Sequence, residues 1–258
     1  MLGRMESASG RIGAFDAPVV YLFTDLRFFG RAADAFASRD EFFGELLRPF
    51  LSRGQTVLVH TFTYTDCGRF DVESTPTRLG ALNKWICTQP GSSRSDHPLF
   101  SFGGIGPMAE ELLANVPKAA FGPGGVHGRL LGRGAAFVHF GRPVPVGNTA
   151  VHYIEHLRGA TYRYHKAFRT EVYRGGCFVG TDYTAFLRRR DVPENDFDSY
   201  YERAASELFA RGMVREEGDP GRLANISLSW YDETVALLHE LFERDPSVFI
   251  RKPYPLYD

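Results

Sequence analysis

Pro18-Val-Val-Tyr-Leu-Phe23 is a short, continuous apolar run, and a run of this kind predicts a strand that is buried on both faces. Residues 56–61 and 135–140 form two further runs of the same character. Helical patterns lie between them, and the first begins with the capping box of Ser38 and Glu41. Strands that alternate with helices predict an α/β protein.

The second half of the sequence has a different order of elements. Residues 162–179 are rich in aromatic and β-branched residues around a Gly-Gly pair, which predicts a hairpin. Two helices are predicted after it, over residues 197–211 and 230–244. Hairpin strands are antiparallel, so the predicted fold is an α/β/α sandwich whose mixed sheet is partly antiparallel.

The composition limits the kind of protein. The chain has 258 residues, of which 43% are hydrophobic, enough for the core of a single domain over residues 1–258. A net charge of -1 gives no indication of nucleic acid or an anionic membrane as partner. Three cysteines cannot all pair internally, which favours a reducing, cytoplasmic compartment. Residues 1–16 lack an apolar run, so we expect a peripheral or poorly ordered start rather than a signal peptide.

The most informative helix is predicted over Asn148-Thr-Ala-Val-His-Tyr-Ile-Glu-His-Leu-Arg158. Residues three and four apart share a helical face, so His152, Glu155 and His156 can point to one spot. In one chemistry that fits, His152 is a general base that the Glu155 carboxylate orients. In another, His-x-x-Glu-His holds zinc with a third ligand, for which Glu202, Glu207, Glu233 and Glu240 are available. From spacing alone, a histidine and a glutamate that merely pair with neighbours are more common than either.

Three further segments accompany this helix in a fixed order: Val20-Tyr-Leu-Phe-Thr-Asp-Leu-Arg-Phe-Phe-Gly30, Thr75-Pro-Thr-Arg-Leu-Gly80 and Arg94-Ser-Asp-His-Pro-Leu-Phe-Ser-Phe-Gly-Gly-Ile-Gly106. Together with Asn148-Thr-Ala-Val-His-Tyr-Ile-Glu155 they resemble the aminoglycoside 3-N-acetyltransferase family. The last two of these four segments are the specific ones, and the resemblance extends over residues 18–245.

This resemblance implies an N-acetyltransferase that moves acetyl from acetyl-CoA directly to an amine, without a covalent enzyme intermediate and without a metal. An amine must lose a proton to attack a thioester, and a neutral histidine with a pKa near ~6.5 suits that task. His152 is therefore expected as the base and Glu155 as its orienting carboxylate. Two alternatives stay open: a zinc hydrolase on His152, Glu155 and His156, and a non-catalytic module that binds coenzyme A or a sugar.

Coenzyme A carries phosphates, which bind to backbone amides at loops and helix starts and to arginine side chains. Glycines at 103, 104 and 106 have no side chain and are expected to allow a close approach to a ligand. The expected cofactor-binding residues are Asp25, Leu26, Arg27, Thr75, Thr77, Arg78, Arg94, Ser95, Ser101 and Phe102.

The chain departs from the family pattern in two places. Thr24-Asp25 stand where the family usually has small hydroxyl residues, and residues 122–127 replace a more polar segment. A polycationic antibiotic requires an acidic cleft, which the near-neutral charge does not indicate, so an amino sugar is as good an acceptor as an aminoglycoside. The expected acceptor contacts are Tyr64, Asp66 and Asp182. A homodimer stays open.

Overall fold

The computed structural model describes residues 2–142, 148–189, 202–218 and 225–250. The strands in these ranges are β1 (Val19–Thr24), β2 (Thr56–His60), β3 (Cys67–Asp71), β4 (Ser92–Arg94), β5 (Phe102–Ile105), β6 (Ala135–Phe140), β7 (Arg163–Ala167), β8 (Arg169–Arg174), β9 (Cys177–Gly180), β10 (Thr184–Arg188), β11 (Val214–Glu217) and β12 (Ile226–Trp230). The helices are α1 (Leu2–Arg11), α2 (Arg39–Leu51), α3 (Ala81–Ile86), α4 (Ala109–Leu113), α5 (Val126–Leu130), α6 (Ala150–Arg158), α7 (Glu202–Ala210) and α8 (Tyr231–Arg244). Short 3-10 helices lie at Ala14–Asp16, Leu26–Phe29 and Ala32–Ala35.

A mixed sheet of seven strands forms the middle layer, in the order β11-β12-β6-β1-β2-β5-β4. Its centre is parallel, because β1 pairs with β2 on one side and with β6 on the other. Both flanks are antiparallel, since β12 opposes β6 and β5 opposes β2. The predicted mixed, partly antiparallel sheet is therefore confirmed, and the three apolar runs form its parallel centre.

Helices cover both faces of this sheet. Successive residues of a strand point to opposite faces, so Tyr21 of β1 packs in the core formed with α6 and α8. Its neighbour Leu22 packs in the opposite core, with α1 and α2. Because the central strands are buried on both faces, they carry continuous apolar sequence rather than an alternating pattern. The predicted α/β/α layering is confirmed.

Two small sheets add to this sandwich. Strands β3, β8 and β9 form one of them, and β7 pairs with β10 in the other. The predicted Gly-Gly hairpin lies between β8 and β9, where Gly175 and Gly176 both have positive φ. In these sheets the chain after α6 turns back, so that Arg163 of β7 contacts Glu155 of α6.

Some boundaries differ from those predicted. Residues 2–11 form α1, and Met5 and Ala8 are buried against the second core, in contrast to the expected peripheral start. Thr75 followed by Pro76 is a pattern typical of a helix start, but the helix begins at Ala81 instead. The Thr75 hydroxyl accepts a hydrogen bond from the Asp71 amide in a turn. The first residues of the helix predicted from 197 lie outside the described residues.

The described helices include no segment long and apolar enough to cross a membrane.

Candidate active site

The site lies on α6, which packs against α8 and α5, and the residue before it, Thr149, contacts His60 at the end of β2. Asn148 accepts a hydrogen bond from the Ala150 amide, and this contact begins the helix. Gly159 ends it with a positive φ of 63°, a conformation that glycine adopts without strain. Between these limits Val151 and Ile154 face the core, which turns His152 and Glu155 toward β7 and β10. The predicted helix is confirmed, and Asn148 and Gly159 set its two ends.

The Glu155 carboxylate is the centre of a charged cluster and is 1% exposed. Its Oε2 atom accepts from His152 Nδ1 at 2.8 Å and from Arg163 Nη2 at 2.6 Å. Its Oε1 atom accepts from the Tyr162 hydroxyl at 2.9 Å. Arg163 in turn donates to the carbonyl of Phe186 at 2.8 Å. A buried carboxylate needs such partners, because an unpaired charge in the interior is costly.

The same contacts determine which nitrogen of His152 carries its proton. Arg163 Nη2 also lies 2.9 Å from His152 Nδ1, but both groups cannot satisfy Nδ1 at once. An unprotonated Nδ1 would place its lone pair 2.8 Å from a carboxylate oxygen with no hydrogen between them, so we assign the proton to Nδ1, which donates to the carboxylate. This tautomer leaves the lone pair on Nε2, the atom that a general base uses.

The cluster also sets the protonation states. Burial lowers the pKa of His152, the nearby Arg163 lowers it further, and the Glu155 carboxylate offsets only part of this. Burial alone would raise the pKa of Glu155, but the charges and hydrogen bonds of Arg163 and His152 outweigh it and hold the pKa below its usual value. At neutral pH the cluster therefore contains a neutral histidine beside a carboxylate, which is the state required to accept a proton.

A second polar cluster surrounds the hydroxyl of Thr149, the residue just before α6. His60 Nε2 lies 2.9 Å from this hydroxyl and His127 Nε2 lies 2.8 Å from it. Tyr21 contacts both Thr149 and His60, and Tyr231 contacts His127. The expected site residues did not include this cluster. Its members come from β1, β2, α5 and α8, so no local spacing in the sequence connects them.

A row of aromatic rings extends from His152 to the surface. Phe121 lies 5.3 Å from the His152 ring, Phe100 lies 5.2 Å from Phe121, and Tyr64 lies 6.0 Å from Phe100, between centroids. Tyr64 is 45% exposed. Phe121 has a φ of 61°, a strained conformation for a side chain of this size. The row places one expected acceptor contact, Tyr64, on a continuous apolar wall that ends at the base.

The loop after β1 contains the first expected cofactor residues. Asp25 caps the 3-10 helix that follows it by accepting from the Arg27 amide at 3.0 Å. The Arg27 side chain also donates to the Asp25 carboxylate, which lowers the pKa of that carboxyl. Leu26 lies half-buried between them. Asp25 is thus neutralised within its own loop.

A cleft of about 460 Å³ holds the second set of expected cofactor residues, namely Thr75, Thr77 and Arg78. Lys84 of α3 lines the same cleft, and both cations are exposed. Thr77 closes its inner end by donating to the carbonyl of Phe62 at 2.8 Å. Lys84 was not expected from the sequence, although its position in the helix after the Thr-Pro-Thr-Arg motif was a usable signal.

The third set of expected cofactor residues is buried. Arg94 donates to backbone carbonyls of three residues, including that of Thr61 at 2.9 Å, and so ties separate loops together. The Ser95 hydroxyl accepts from the Phe102 amide, and the Ser101 hydroxyl donates to the Thr61 carbonyl. These contacts use the polar atoms of all three side chains, while the Phe102 ring packs in the core.

Glycines 103 and 104 allow a close approach, but to protein rather than to a ligand. A Cβ atom at Gly104 would lie 2.5 Å from Leu58, and one at Gly103 would lie 2.6 Å from Thr61. Both contacts are with β2 or the residue that follows it. The expectation that these glycines face a ligand is wrong, because the neighbouring strand occupies that space.

The remaining expected residues are dispersed. Asp66 and Asp182 are both exposed, and Asp182 has a φ of 65°. His156 packs edge-on to His165 at 5.2 Å rather than joining the Glu155 cluster. In the described part of the chain, no group of three or more His, Cys, Asp and Glu residues could hold a metal ion. The zinc alternative therefore gains no support from the geometry of α6.

Solved structures show which class of protein has this fold. The apoenzyme of aminoglycoside acetyltransferase AAC(3)-IVa matches with a TM-score of 0.73 at 19% identity, over 98% of this chain and 92% of that chain. AAC-VIa bound to sisomicin matches with a TM-score of 0.76 at 22% identity, over 94% and 97%. AAC-IIIb with CoASH matches with a TM-score of 0.74 at 20% identity, over 99% of both chains. The fold is that of the aminoglycoside acetyltransferases.

The sequence itself gives the family. The family model described as aminoglycoside 3-N-acetyltransferase matches residues 55–243, which is more than half of the chain. The protein belongs to the aminoglycoside 3-N-acetyltransferase family and is an N-acetyltransferase. None of the curated protein sequences matches it.

Proposed function

We propose that this protein transfers acetyl from acetyl-CoA to an amine of an amino sugar or an aminoglycoside-like acceptor, with His152 as general base and Glu155 as the group that orients it. The observation that carries the proposal is the bond from His152 Nδ1 to the buried Glu155 carboxylate, which leaves Nε2 free to accept a proton. One of the matching structures contains CoASH and another contains sisomicin, which supports this pair of substrates.

In this mechanism the amine nitrogen attacks the thioester carbon, and a carbon–nitrogen bond forms as the carbonyl oxygen becomes an oxyanion. His152 Nε2 takes the proton that the amine releases, and the Glu155 carboxylate stabilises the resulting imidazolium. The oxyanion then reforms the carbonyl while the carbon–sulfur bond breaks. The leaving thiolate takes the proton from His152, so the products are the amide and free coenzyme A.

The donor is proposed to bind along the carboxyl edge of the sheet. The loop of Asp25, Leu26 and Arg27 follows β1 at this edge, and the cleft beside Arg78 and Lys84 follows β2. Two exposed cations beside one cleft suit the phosphates of coenzyme A. We leave Arg94, Ser95, Ser101 and Phe102 out of the proposed contacts, because the protein interior already surrounds them.

The phosphate contacts can be tested separately from the chemistry. The double variant Arg78→Ala/Lys84→Ala is expected to raise KM for acetyl-CoA while kcat stays near the wild-type value. Acetyl-pantetheine has no nucleotide phosphates, so its KM is expected to be the same for both proteins. An equal rise in KM for both donors would contradict the phosphate contacts.

The acceptor is proposed to lie along the aromatic row from Tyr64 to His152. The exposed ring of Tyr64 offers an apolar face to a sugar. The other end of the row, at Phe121, lies beside His152 and would place an amine within reach of the base. Asp66 and Asp182 are exposed carboxylates that suit a cationic amine, and they remain predicted contacts. A cytoplasmic location is part of the proposal, since the three cysteines are free.

The experiment is an acceptor panel. Purified protein is mixed with acetyl-CoA and with amino sugars and aminoglycosides one at a time, and release of free thiol is followed. The proposal predicts release that depends on a particular acceptor, with a product one acetyl group heavier by mass spectrometry. Bound acetyl-CoA without turnover on any acceptor would favour the non-catalytic module, and absence of acetyl-CoA binding would contradict the proposal.

A further inference from the structure

The cluster around Thr149 contains one hydrogen on each hydroxyl and on each neutral imidazole, so its donors can be assigned in turn. The Tyr231 hydroxyl donates to the backbone carbonyl of His127 at 2.8 Å and has no second hydrogen. His127 Nδ1 lies 2.8 Å from the same hydroxyl oxygen, so this nitrogen must be the donor. His127 therefore carries its proton on Nδ1, and its Nε2 is an acceptor.

The next hydrogen bond follows from this tautomer. His127 Nε2 lies 2.8 Å from Thr149 Oγ1, and an acceptor nitrogen requires that the threonine hydroxyl donates. The single hydrogen of Thr149 is then used. His60 Nε2, at 2.9 Å from the same oxygen, must then supply the hydrogen of this contact, so His60 is protonated on Nε2. The Tyr21 hydroxyl oxygen also contacts this nitrogen and therefore accepts from the same N–H. Tyr21, at 3.2 Å, supplies the second hydrogen bond that Thr149 accepts.

The chain of hydrogen bonds ends at the backbone that carries the base. The Thr149 carbonyl accepts from the amide of His152 at 3.0 Å in the first turn of α6. Tyr21, Tyr231 and His127 are buried, and the strands and helices that hold them belong to the sandwich. The Thr149 side chain therefore ties the first turn of α6, and with it His152, to four separate elements of the core.

We propose that Thr149 is a positioning residue for His152, held by a hydrogen-bonded chain in which His127 and His60 are opposite tautomers. Thr149 contacts no reacting atom in this account, since its only hydrogen is donated to His127. Its role is to fix the distance between the base and the acceptor amine, and a displacement of about 1 Å in such a distance lowers turnover by roughly 10²-fold. This inference rests on the proposed function for its effect on turnover.

A set of three threonine variants tests the role. Thr149→Val keeps the size of the side chain but removes the hydroxyl, whereas Thr149→Ser keeps the hydroxyl. Thr234→Val is the matched control, because the buried Thr234 hydroxyl has no hydrogen-bond partner. We expect Thr149→Val to lose roughly 10- to 100-fold in kcat at an unchanged KM for acetyl-CoA, and the other two to stay within about threefold of wild type.

Three results of these assays would overturn the proposal. The first is a folded Thr149→Val protein with wild-type kcat. The second is a loss in Thr149→Ser as large as that in Thr149→Val, which would assign the effect to the methyl group. A loss that appears only in KM would also contradict positioning of the base, because it would indicate a change in donor binding.

A measurement on the wild-type protein does not depend on activity or on the folding of any variant. Nitrogen-15 NMR of the imidazole rings distinguishes the two neutral tautomers. We expect His127 protonated on Nδ1 and His60 protonated on Nε2 at neutral pH. Any other pair of tautomers would overturn the chain even if acetyl transfer is observed. Absence of thiol release in the acceptor panel would count against the proposed function alone and would leave this measurement decisive.

Discussion

Two polar clusters hold α6, one at Thr149 just before the helix and one at Glu155 within it. They satisfy their buried polar groups in different ways. The cluster at Glu155 is charged and pairs its carboxylate with Arg163, His152 and Tyr162. The cluster at Thr149 is neutral, and each of its groups donates its one hydrogen in a hydrogen bond to a neighbour. The charged cluster can stabilise an imidazolium, whereas the neutral one resists any change of charge. Catalytic chemistry is therefore expected at the first, and fixed geometry at the second.

The largest effect is expected from His152, the histidine of the charged cluster. His152→Ala removes the base and should lower kcat by roughly 10²–10⁴, the usual contribution of general base catalysis. His165→Ala is the control, because His165 is an exposed histidine on the neighbouring β7. Steady-state thiol release measures both. Equal rates for wild type and His152→Ala would remove His152 from the mechanism.

Glu155→Ala tests how much the charged cluster depends on its anion. The substitution leaves the buried Arg163 guanidinium without its carboxylate, and loss of one partner of a buried ion pair costs about 3–5 kcal/mol of unfolding free energy. Urea unfolding measures the loss. A cost below about 1 kcal/mol would mean that solvent reaches Arg163, which its burial contradicts.

The neutral cluster should make the free energy of unfolding depend on pH in the acid range. Burial lowers the pKa of His127 from 6.5 to about 3 in the folded protein. Between these values the unfolded chain binds a proton that the folded protein does not, so stability falls as the pH falls from 6.5 toward 3. His127→Gln should reduce this slope by up to about 1.4 kcal/mol per pH unit. An unchanged slope in His127→Gln would contradict a neutral His127.

Thr234→Val should have the smallest effect on stability. Its hydroxyl is buried in α8 without a partner, so replacement by a methyl group removes an unsatisfied polar atom. We expect the unfolding free energy to stay within about 0.5 kcal/mol of wild type or to rise. A loss above about 1 kcal/mol, measured by urea unfolding, would indicate an unseen partner for this hydroxyl.

The sequence predicted the parts of the molecule that depend on local pattern. Continuous apolar runs predicted β1, β2 and β6, and helical spacing with Gly159 predicted α6 and brought His152 and Glu155 together. The capping box at Ser38 was also confirmed, since its hydroxyl accepts from the Glu41 amide at 3.1 Å. Each of these features is encoded within about a dozen residues.

The parts that the sequence did not predict depend on distant contacts. Arg163 reaches Glu155 only because the chain turns after Gly159, and His127 meets Thr149 only through the packing of α5 against α6. Arg94 was expected at the cofactor because of its motif, yet it ties loops together inside the protein. A motif indicates that a residue matters, whereas the tertiary contacts decide what it touches.

The central claim is that His152 is a neutral base whose tautomer the Glu155 carboxylate fixes and whose pKa it raises, and the pH dependence of kcat tests it most directly. Wild-type kcat should fall on the acid side with an apparent pKa below about 6.5, because a protonated His152 cannot accept a proton. Glu155→Gln removes the charge that raises the His152 pKa, so this limb should move to lower pH while the plateau falls. An acid limb that stays in place or moves to higher pH in Glu155→Gln would contradict the account.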